Sequence, residues 1–136
     1  ATPTPGADRA WVTAVDANGT RLAALAVRLS ETPDERYTGL SDTADLPWDE
    51  GMLFVYDEPG DHAYVMREMD FPLDIVYLAS DGTVTRIHHA PLPPPNHTTL
   101  HRYRGHGQFV LEVNRGWTNA TGLDEGDRVE LPPALG

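Results

Sequence analysis

The segment from Gly51 to Asp74 (GMLFVYDEPGDHAYVMREMDFPLD) restricts the fold more than any other part of this chain. It contains two apolar runs, a turn, a Met-Arg-Glu-Met sequence and a Pro-Leu-Asp corner within a short length of chain. The runs are brief and rich in β-branched and aromatic residues, which is typical of short strands that end at turns. The segment therefore predicts closely spaced strands around one particular spot.

Runs of the same kind recur on both sides of this segment. The turns at Asp16–Gly19 and Ser80–Gly82 favour tight hairpins. The sequence predicts a mainly β fold, a sandwich or open barrel of about seven or more short strands with one or two short helices. The predicted strands are Arg9–Val15, Thr20–Leu29, Met52–Tyr56, Tyr64–Met66, Leu73–Ala79, Thr83–His88, Gln108–Val113 and Gly126–Leu131, with a short helix at Trp117–Thr121 and a proline-rich loop at Ala90–His97.

Another short helix is predicted directly after the second strand. Thr32 can cap its first turn, Glu35 completes a capping box with Thr32, and Gly39 can end the helix. A helix of this length contributes only one apolar face. We expect Tyr37 and Leu40 to use that face to cover one end of the core.

The composition is acidic and lacks two residue types. The 136 residues include 21 acidic and 10 basic side chains, carry a formal net charge of −11, and contain neither Lys nor Cys. This length suits one domain with a single modest core, and the longest apolar run, Leu22–Val27, is too short to span a membrane. An acidic surface without Lys is typical of proteins that stay hydrated in concentrated salt, where screening weakens carboxylate repulsion. The same charge argues against nucleic-acid binding, and the lack of Cys excludes disulfides and thiolate chemistry.

Two features point to a location outside the cytoplasm. Residues 1–8 are rich in Thr and Pro and predict a flexible tether that follows a removed N-terminal anchor. Asn18, Asn96 and Asn119 lie in Asn-x-Thr sequons, which predict glycosylation in an exported protein. We therefore expect an extracellular or cell-surface protein whose only membrane contact is through that anchor. Asn-x-Thr is also ordinary turn chemistry, which leaves a purely structural reading of the sequons open.

An ordered set of motifs resembles one protein family. The set comprises Thr32–Arg36, Gly39-Leu40, Gly51–Phe54, Met66, Pro72–Ile75, Phe109–Val113 and Gly122–Val129. In order and spacing it resembles domain of unknown function 192, a group of small, often exported or membrane-anchored β proteins. The resemblance runs from about residue 20 to residue 131 and implies one β domain over residues 9–136, with the charge balance of a halophilic archaeal member. It implies no established activity.

The chain departs from this family pattern at two places. Members usually have Met after the Gly-Leu pair, where this chain has Ser41. After the position of Met66 they usually have Lys-Asn-Thr, where this chain has Arg67-Glu68-Met69. If the Asn and Thr side chains serve a ligand in relatives, this protein binds something different or lacks that site.

Arg36 and Asp74 are the polar residues most closely embedded in apolar sequence. A buried charge needs a partner, and Arg with a carboxylate is a natural pair. One reading is a ligand pocket with Arg36, Asp74 and Glu112 at its floor. The other is an internal salt bridge that fixes the short helix to the sheet. The remaining candidate ligand-binding residues are Met66, Arg67 and Glu68.

The histidines between His88 and His106 offer a metal-binding alternative. The candidate ligands are His89, His97 and His101, and the last two would share a face if they lay on a helix. Flanking prolines and glycines oppose such a helix, and no HExxH motif accompanies the residues. In a strand, His88 and His89 would point to opposite faces and could not share one ion without a bulge. We expect no resident cofactor.

The sequence does not decide whether the protein is an enzyme, and it favours a non-enzymatic role. Its three Ser residues lie outside any Gly-x-Ser-x-Gly elbow, and paired carboxylates in so acidic a chain are typical of a solvated surface. The first hypothesis is an extracytoplasmic domain that binds a small ligand or a cell-envelope component. The alternatives are a metal-binding protein and a structural surface module without a ligand, which predicts no concave polar pocket.

Overall fold

The computed structural model describes residues 9–41, 45–93 and 100–132, which form one curled β-sheet with two short helices. The strands are β1 (Arg9–Val15), β2 (Arg21–Ser30), β3 (Glu50–Tyr64), β4 (Leu73–Leu78), β5 (Val84–Ala90), β6 (Tyr103–Asn114) and β7 (Arg128–Glu130), and the helices are α1 (Pro33–Thr38) and α2 (Trp117–Thr121). The strand order is β5-β4-β6-β3-β2-β1-β7. The prediction of a mainly β fold is confirmed, in the form of a half-barrel rather than a sandwich.

One parallel pair stands among the antiparallel pairs of the described sheet. β2 pairs in parallel with β3 from Ala26 and Glu50 onwards, and α1 lies on the connection between the two strands. Parallel neighbours cannot be joined by a tight hairpin, so the chain must cross over at this point. A bridge between Thr83 and Arg128 joins the start of β5 to β7. The two edges of the sheet therefore meet at one place, and the sheet curls.

β3 and β6 are longer than the sequence predicts. Two separate strands are predicted at Met52–Tyr56 and Tyr64–Met66, but the structure has the single strand β3, which ends at Tyr64. This prediction is wrong because β6 gives β3 one continuous antiparallel partner. The turn-like residues between Val55 and Gly60 are accommodated as a bulge in the ladder instead of closing a hairpin.

Beyond this bulge, Gly60–Tyr64 and Tyr103–Gly107 form a two-stranded arm that packs on Tyr77 of β4. The fully buried phenol of Tyr77 donates to two backbone carbonyls of the arm. A Cβ at Gly105 would lie 2.4 Å from the Tyr77 ring, and a Cβ at Gly107 would lie 2.4 Å from a carbonyl oxygen of β4. The arm can reach this position only because both residues lack side chains.

The two faces of the sheet carry separate apolar clusters. All six residues of β4 are buried, so both faces of this strand are covered. One cluster lies between the sheet and α2, and the other is covered by the connections on either side of β3. Representative members are Val76, Phe109, Trp117 and Leu123 in the first cluster and Leu40, Met66, Ile75 and Val110 in the second.

The local prediction for α1 is confirmed at its ends and wrong for one side chain. Thr32 and Glu35 form the reciprocal capping box, and Leu40 is 1% exposed. Tyr37 is 75% exposed and does not cover the core. Its ring instead lies 4.8 Å from the guanidinium carbon of Arg67 on the outer surface. A helix of six residues buries one side, and Tyr37 is on the other.

Some predicted features lie outside the described residues. These are the tether at residues 1–8, the sequon at Asn96, and His97. Neither helix in the described ranges has the length and apolar character that a membrane crossing needs.

Replacing Gly105 by Ala tests the contact between the arm and Tyr77. The new Cβ would overlap the Tyr77 ring, whose nearest atom is 2.4 Å away, so we expect Gly105→Ala to lower the free energy of unfolding by about 2 kcal/mol or more. The matched control is Gly60→Ala in the same arm, where the nearest atom would be 3.7 Å away. Denaturant unfolding of both variants checks this. Equal losses in the two variants would contradict the proposed packing.

Candidate functional site

Asp74 and Glu112, two of the predicted site residues, are both buried but lie on opposite faces of the sheet. In the register of β4 and β6, Asp74 pairs with Val113 and Ile75 pairs with Glu112. Neighbouring residues in a strand point to opposite sides, so Asp74 lies on the α2 side and Glu112 lies on the other. The two carboxyl groups therefore cannot form the floor of one pocket.

The carboxylate of Asp74 is 0% exposed and is fully engaged by hydrogen bonds. Its Oδ1 accepts from Nδ1 of His89 at 2.7 Å. Its Oδ2 accepts from the backbone N–H groups of Gly116 at 3.2 Å and Thr118 at 3.0 Å, and from Thr118 Oγ1 at 2.7 Å. These hydrogen bonds replace those to water that the carboxylate loses on burial, and they join β4, β5 and α2 through one side chain.

Arg36 does not pair with Asp74. Its Nη1 donates to the carbonyl of Glu31 at 2.9 Å and to that of Val55 at 2.7 Å, and its guanidinium carbon lies 4.6 Å from the centre of the Tyr56 ring. These contacts hold α1 against β3. The expected salt bridge between helix and sheet is thus replaced by two separate attachments: Arg36 fixes α1 through backbone carbonyls, and Asp74 fixes α2.

Glu112 is buried without compensation. It is 4% exposed, and within the described residues its carboxyl group has no hydrogen-bond partner. Across the ladders it faces Met52 on β3 and Ile75 on β4, both apolar. Burial raises its pKa from 4.5 to about 8. The charged form of Glu112 is therefore disfavoured in the folded protein.

The segment in which this chain departs from the family pattern forms a turn. Met66 is 3% exposed and belongs to the core, whereas Arg67 and Glu68 are exposed. Glu68 has a left-handed backbone with φ of 54°. Asn adopts this conformation far more readily than Glu. The backbone at this position therefore favours the Asn that the family resemblance implies here, independently of any ligand.

The histidines of the metal alternative are not gathered into one site. His89 bonds with Asp74 on the α2 side, and its neighbour His88 points to the opposite face, as predicted for a strand. His101 packs on an aromatic ring instead of approaching His89. Among the described residues, no group of three His, Cys, Asp or Glu could hold a metal ion.

A cleft of about 860 Å³ lies between the arm and β5. We call it the arginine cleft, because three of the ten Arg residues of the chain line it. The lining residues with ionisable side chains are Arg86, Arg102, Arg104, His62, His106 and Asp61.

Two hydrogen bonds fix the arm beside β5 and so set the shape of the arginine cleft. Nε2 of His88 donates to the carbonyl of Arg104 at 2.7 Å, and Oγ1 of Thr85 donates to the carbonyl of His106 at 2.6 Å. Because alternate residues of the arm point to the same side, the side chains of Arg104 and His106 lie together on the cleft side.

The guanidinium groups of the arginine cleft have no hydrogen-bond or ion-pair partner in the described parts of the chain. This holds for Arg86, Arg102 and Arg104 alike. The imidazole of His62 stacks on an aromatic ring at 3.7 Å, and its buried Nε2 has no partner. Burial lowers the pKa of His62, which favours the neutral ring. His106 donates to Asp61 at 2.8 Å on the exposed rim.

A second, smaller cleft of about 440 Å³ lies between β5 and α2. We call it the histidine cleft, because His89 stands at its wall opposite Asp124 and Glu125. The charged side chains of the histidine cleft are mainly carboxylates, whereas those of the arginine cleft are mainly guanidinium groups. Two concave polar surfaces argue against the structural-module alternative, which predicts none.

The two sequons within the described residues are accessible. Asn18 is exposed in the turn between β1 and β2, and Asn119 is exposed on α2. Their use as glycosylation sites stays a prediction.

Sequence reasoning missed the arginine cleft. The available signal is the alternation Arg102-x-Arg104-x-His106, of which Arg104 and His106 share one side of β6 and Arg102 lies just before it. The sequence predicts that this strand begins only at Gln108, so the alternation carries no meaning until the long β6 is known.

Replacing Glu112 by Gln should stabilise the protein at neutral and alkaline pH. A group whose folded pKa is raised from 4.5 to about 8 makes the native state lose stability as pH rises between those values, by up to roughly 1.4 kcal/mol per pH unit. Gln cannot ionise, so the stability gain of Glu112→Gln should grow from about pH 5 to about pH 8 and then level off. Thermal unfolding across this range checks it. A gain that does not depend on pH, or one shared by the exposed control Glu58→Gln, would contradict it.

Replacing Glu68 by Asn tests the backbone explanation of the family pattern. Asn tolerates the left-handed conformation better, so we expect Glu68→Asn to raise the free energy of unfolding by about 1 kcal/mol. Glu68→Gln removes the same charge without this backbone preference and should have little effect. If both variants were stabilised equally, charge and not backbone strain would be the cause.

Comparison with known proteins agrees with this architecture. The family model of domain of unknown function 192 (DUF192), described as an uncharacterized ACR, matches residues 13–131. The chain is similar to the crystal structure of a proposed transcription regulator from Sinorhizobium meliloti 1021, with 32% identity, a TM-score of 0.80, and coverage of 90% of this chain and 92% of that one. It is also similar to a protein of unknown function from Novosphingobium aromaticivorans DSM 12444, with 31% identity, a TM-score of 0.78, and coverage of 96% and 90%. Among curated proteins none matches. Because the family model spans most of the chain, this protein belongs to the DUF192 family.

Proposed function

We propose that this protein binds a small anionic ligand in the arginine cleft and does so without catalysing a reaction on it. The observation that carries the proposal is that Arg86, Arg102 and Arg104 line one concave surface without any carboxylate partner among the described residues. The chain has about twice as many acidic as basic residues, so partners for these Arg residues would be easy to supply. Unpaired guanidinium groups in a cleft are typical of sites that recognise carboxylate or phosphate.

The neutral groups of the cleft suit the same kind of ligand. His62 is favoured in its neutral form by burial, so it adds no further charge to the lining of the cleft. Tyr56 stacks on His62 and adds a flat apolar wall. A volume of about 860 Å³ is in the range of sites for metabolite-sized molecules.

A nucleic acid is the less favoured anionic partner. The Sinorhizobium relative is described as a proposed transcription regulator, and an Arg-lined surface is one part of what a nucleic-acid binder needs. The formal net charge of −11 opposes a polyanion over a long contact surface, whereas a small anion meets only the local guanidinium groups. We therefore favour the small ligand.

We also propose that binding takes place outside the cytoplasm. The support is two sequons, at Asn18 and Asn119, whose Asn side chains are exposed. An exported anion-binding domain would meet free carboxylates, phosphates or acidic cell-envelope sugars.

Calorimetric titration with pyrophosphate and citrate tests the proposed site and separates phosphate from carboxylate preference. We expect saturable binding of at least one probe, with an affinity about a hundredfold or more weaker when Arg86, Arg102 and Arg104 are all replaced by Gln, since each charged hydrogen bond contributes about 1 kcal/mol or more.

The matched control replaces Arg21, Arg67 and Arg115 by Gln, all of which are exposed and do not line the arginine cleft. It changes the net charge equally and should leave affinity nearly intact. If both triple variants lost affinity equally, the overall charge of the protein and not the arginine cleft would be the cause. The proposal would be overturned if neither probe bound, or if duplex DNA bound more tightly than both probes.

A further inference from the structure

The histidine cleft has a chemical feature that the arginine cleft lacks. His89 is attached to Asp74, a carboxylate with no exposed surface, while 52% of the His89 side chain remains exposed. The imidazole thus connects a buried negative charge to an open surface. All three hydrogen bonds from the α2 region go to Oδ2 of Asp74. The bond from His89 goes to the other oxygen, Oδ1, so it is not needed to attach α2.

The hydrogen bond from His89 Nδ1 to Asp74 Oδ1, at 2.7 Å, determines the chemistry of the other ring nitrogen. A carboxylate oxygen only accepts, so Nδ1 carries the proton and Nε2 of the neutral ring carries the lone pair. Nε2 is therefore prepared to act as a base or a nucleophile.

The walls of the histidine cleft indicate which molecules can approach His89. Asp124 and Glu125 line the cleft, so the site repels anions and favours neutral or cationic molecules. Glu125 is itself positioned, because its Oε2 accepts from the backbone N–H of Ile87 on β5 at 3.2 Å. This preference is the reverse of that in the arginine cleft.

We propose that His89 is the reactive base of a second site, which accepts a proton or an acyl group at Nε2 from a neutral or cationic small molecule, and that Asp74 is its positioning residue. In acyl transfer, the Nε2 lone pair forms a bond to the carbonyl carbon of an ester, and the carbon–oxygen bond breaks with its electron pair on the leaving alkoxide, which takes a proton from water to become the alcohol. The hydroxide so formed attacks the N-acylimidazolium, the carbon–nitrogen bond breaks with its electron pair returning to Nε2, and the carboxylic acid is released. The sum is hydrolysis of the ester, with no oxidant or reductant. This site is independent of anion binding in the arginine cleft.

The chain contains two internal controls for the reactivity of His89. His106 also donates Nδ1–H to a carboxylate, that of Asp61, at 2.8 Å, but the Asp61 side chain is 94% exposed. His101 is exposed and has no carboxylate partner among the described residues. Comparison of the three separates the effect of a buried carboxylate from that of a solvated one and from that of none.

The first test is the rate of carbethoxylation of each histidine by diethyl pyrocarbonate, followed by peptide mass spectrometry of the folded wild-type protein. We expect His89 to react about tenfold faster than His101, and faster than His106. If His89 reacts no faster than these two, the proposal is overturned. This comparison needs no variant, so it stands even if Asp74 variants fail to fold.

The second test measures hydrolysis of p-nitrophenyl acetate and of the cationic p-nitrophenyl ester of glycine, each corrected for spontaneous hydrolysis. We expect turnover of both esters with the cationic ester preferred, loss of turnover in His89→Gln, and retention of turnover in the matched variant His101→Gln. Turnover that His89→Gln does not reduce would overturn the proposal, and preference for the neutral ester would overturn the assigned charge selectivity.

The positioning role of Asp74 has its own readout. In nitrogen NMR of the wild type, the neutral ring of His89 should carry its proton on Nδ1, and Asp74→Asn should change this tautomer and slow carbethoxylation of His89. If Asp74→Asn lowers the melting temperature but leaves both the tautomer and the rate unchanged, Asp74 only attaches α2 and the proposal fails.

Discussion

The close approach of two arm glycines to β4, Gly105 to the Tyr77 ring and Gly107 to the Leu78 carbonyl, is the constraint on which the shape of this protein depends. Gly105 and Gly107 allow β6 to pass against β4 at a distance that no side chain would permit. The bulge in β3 lets the strand turn with it, and Gln108 donates to two carbonyls of the bulge at 3.1 and 3.3 Å in place of lost ladder bonds. Without this bend, the arm would extend into solvent and the arginine cleft would have only one wall.

Two buried carboxyl groups one register position apart show how strongly local partners decide the cost of burial. Asp74 is surrounded by donors from three elements, so its charge is compensated and it joins those elements. Glu112 has no such donors in the described chain, so burial shifts its pKa to about 8. Removing Asp74 would leave several donors unsatisfied, whereas neutralising Glu112 would remove the free-energy cost of burying an ionisable group. Buried carboxyl groups of similar exposure thus have opposite effects on stability.

The sequence predicts the parts of the fold that depend on near neighbours. The capping box of Thr32 and Glu35, the hairpin at Asp16–Gly19 and the opposite orientation of His88 and His89 all follow from local geometry. The bulge in β3 does not, because a turn-like Asp-Glu-Pro-Gly sequence becomes a bulge only when a partner strand continues past it.

The candidate site was predictable only in part, for the same reason. The sequence indicates Asp74 as a buried charge, and the structure bears out its burial. The partner is His89 and not Arg36, because pairing across β4 and β5 sets which side chains meet. The arginine cleft likewise joins β5 to an arm whose position depends on packing between distant residues. A single sequence shows the residue types of such a site, but not that they meet.

Residues of β5 line both clefts. Arg86 lines the arginine cleft, His88 holds the arm, and His89 stands in the histidine cleft, all on one short edge strand. One edge of β5 is the ladder with β4, and its other contacts include the arm, the bridge to β7 at its start and the backbone bond to Glu125. The opposite charges of the clefts would attract different molecules to this strand, and in concentrated salt screening would limit each attraction to direct contact, since the Debye length falls to about 3 Å at 1 M. Under those conditions recognition at both places would come from positioned side chains and not from the overall field of the protein.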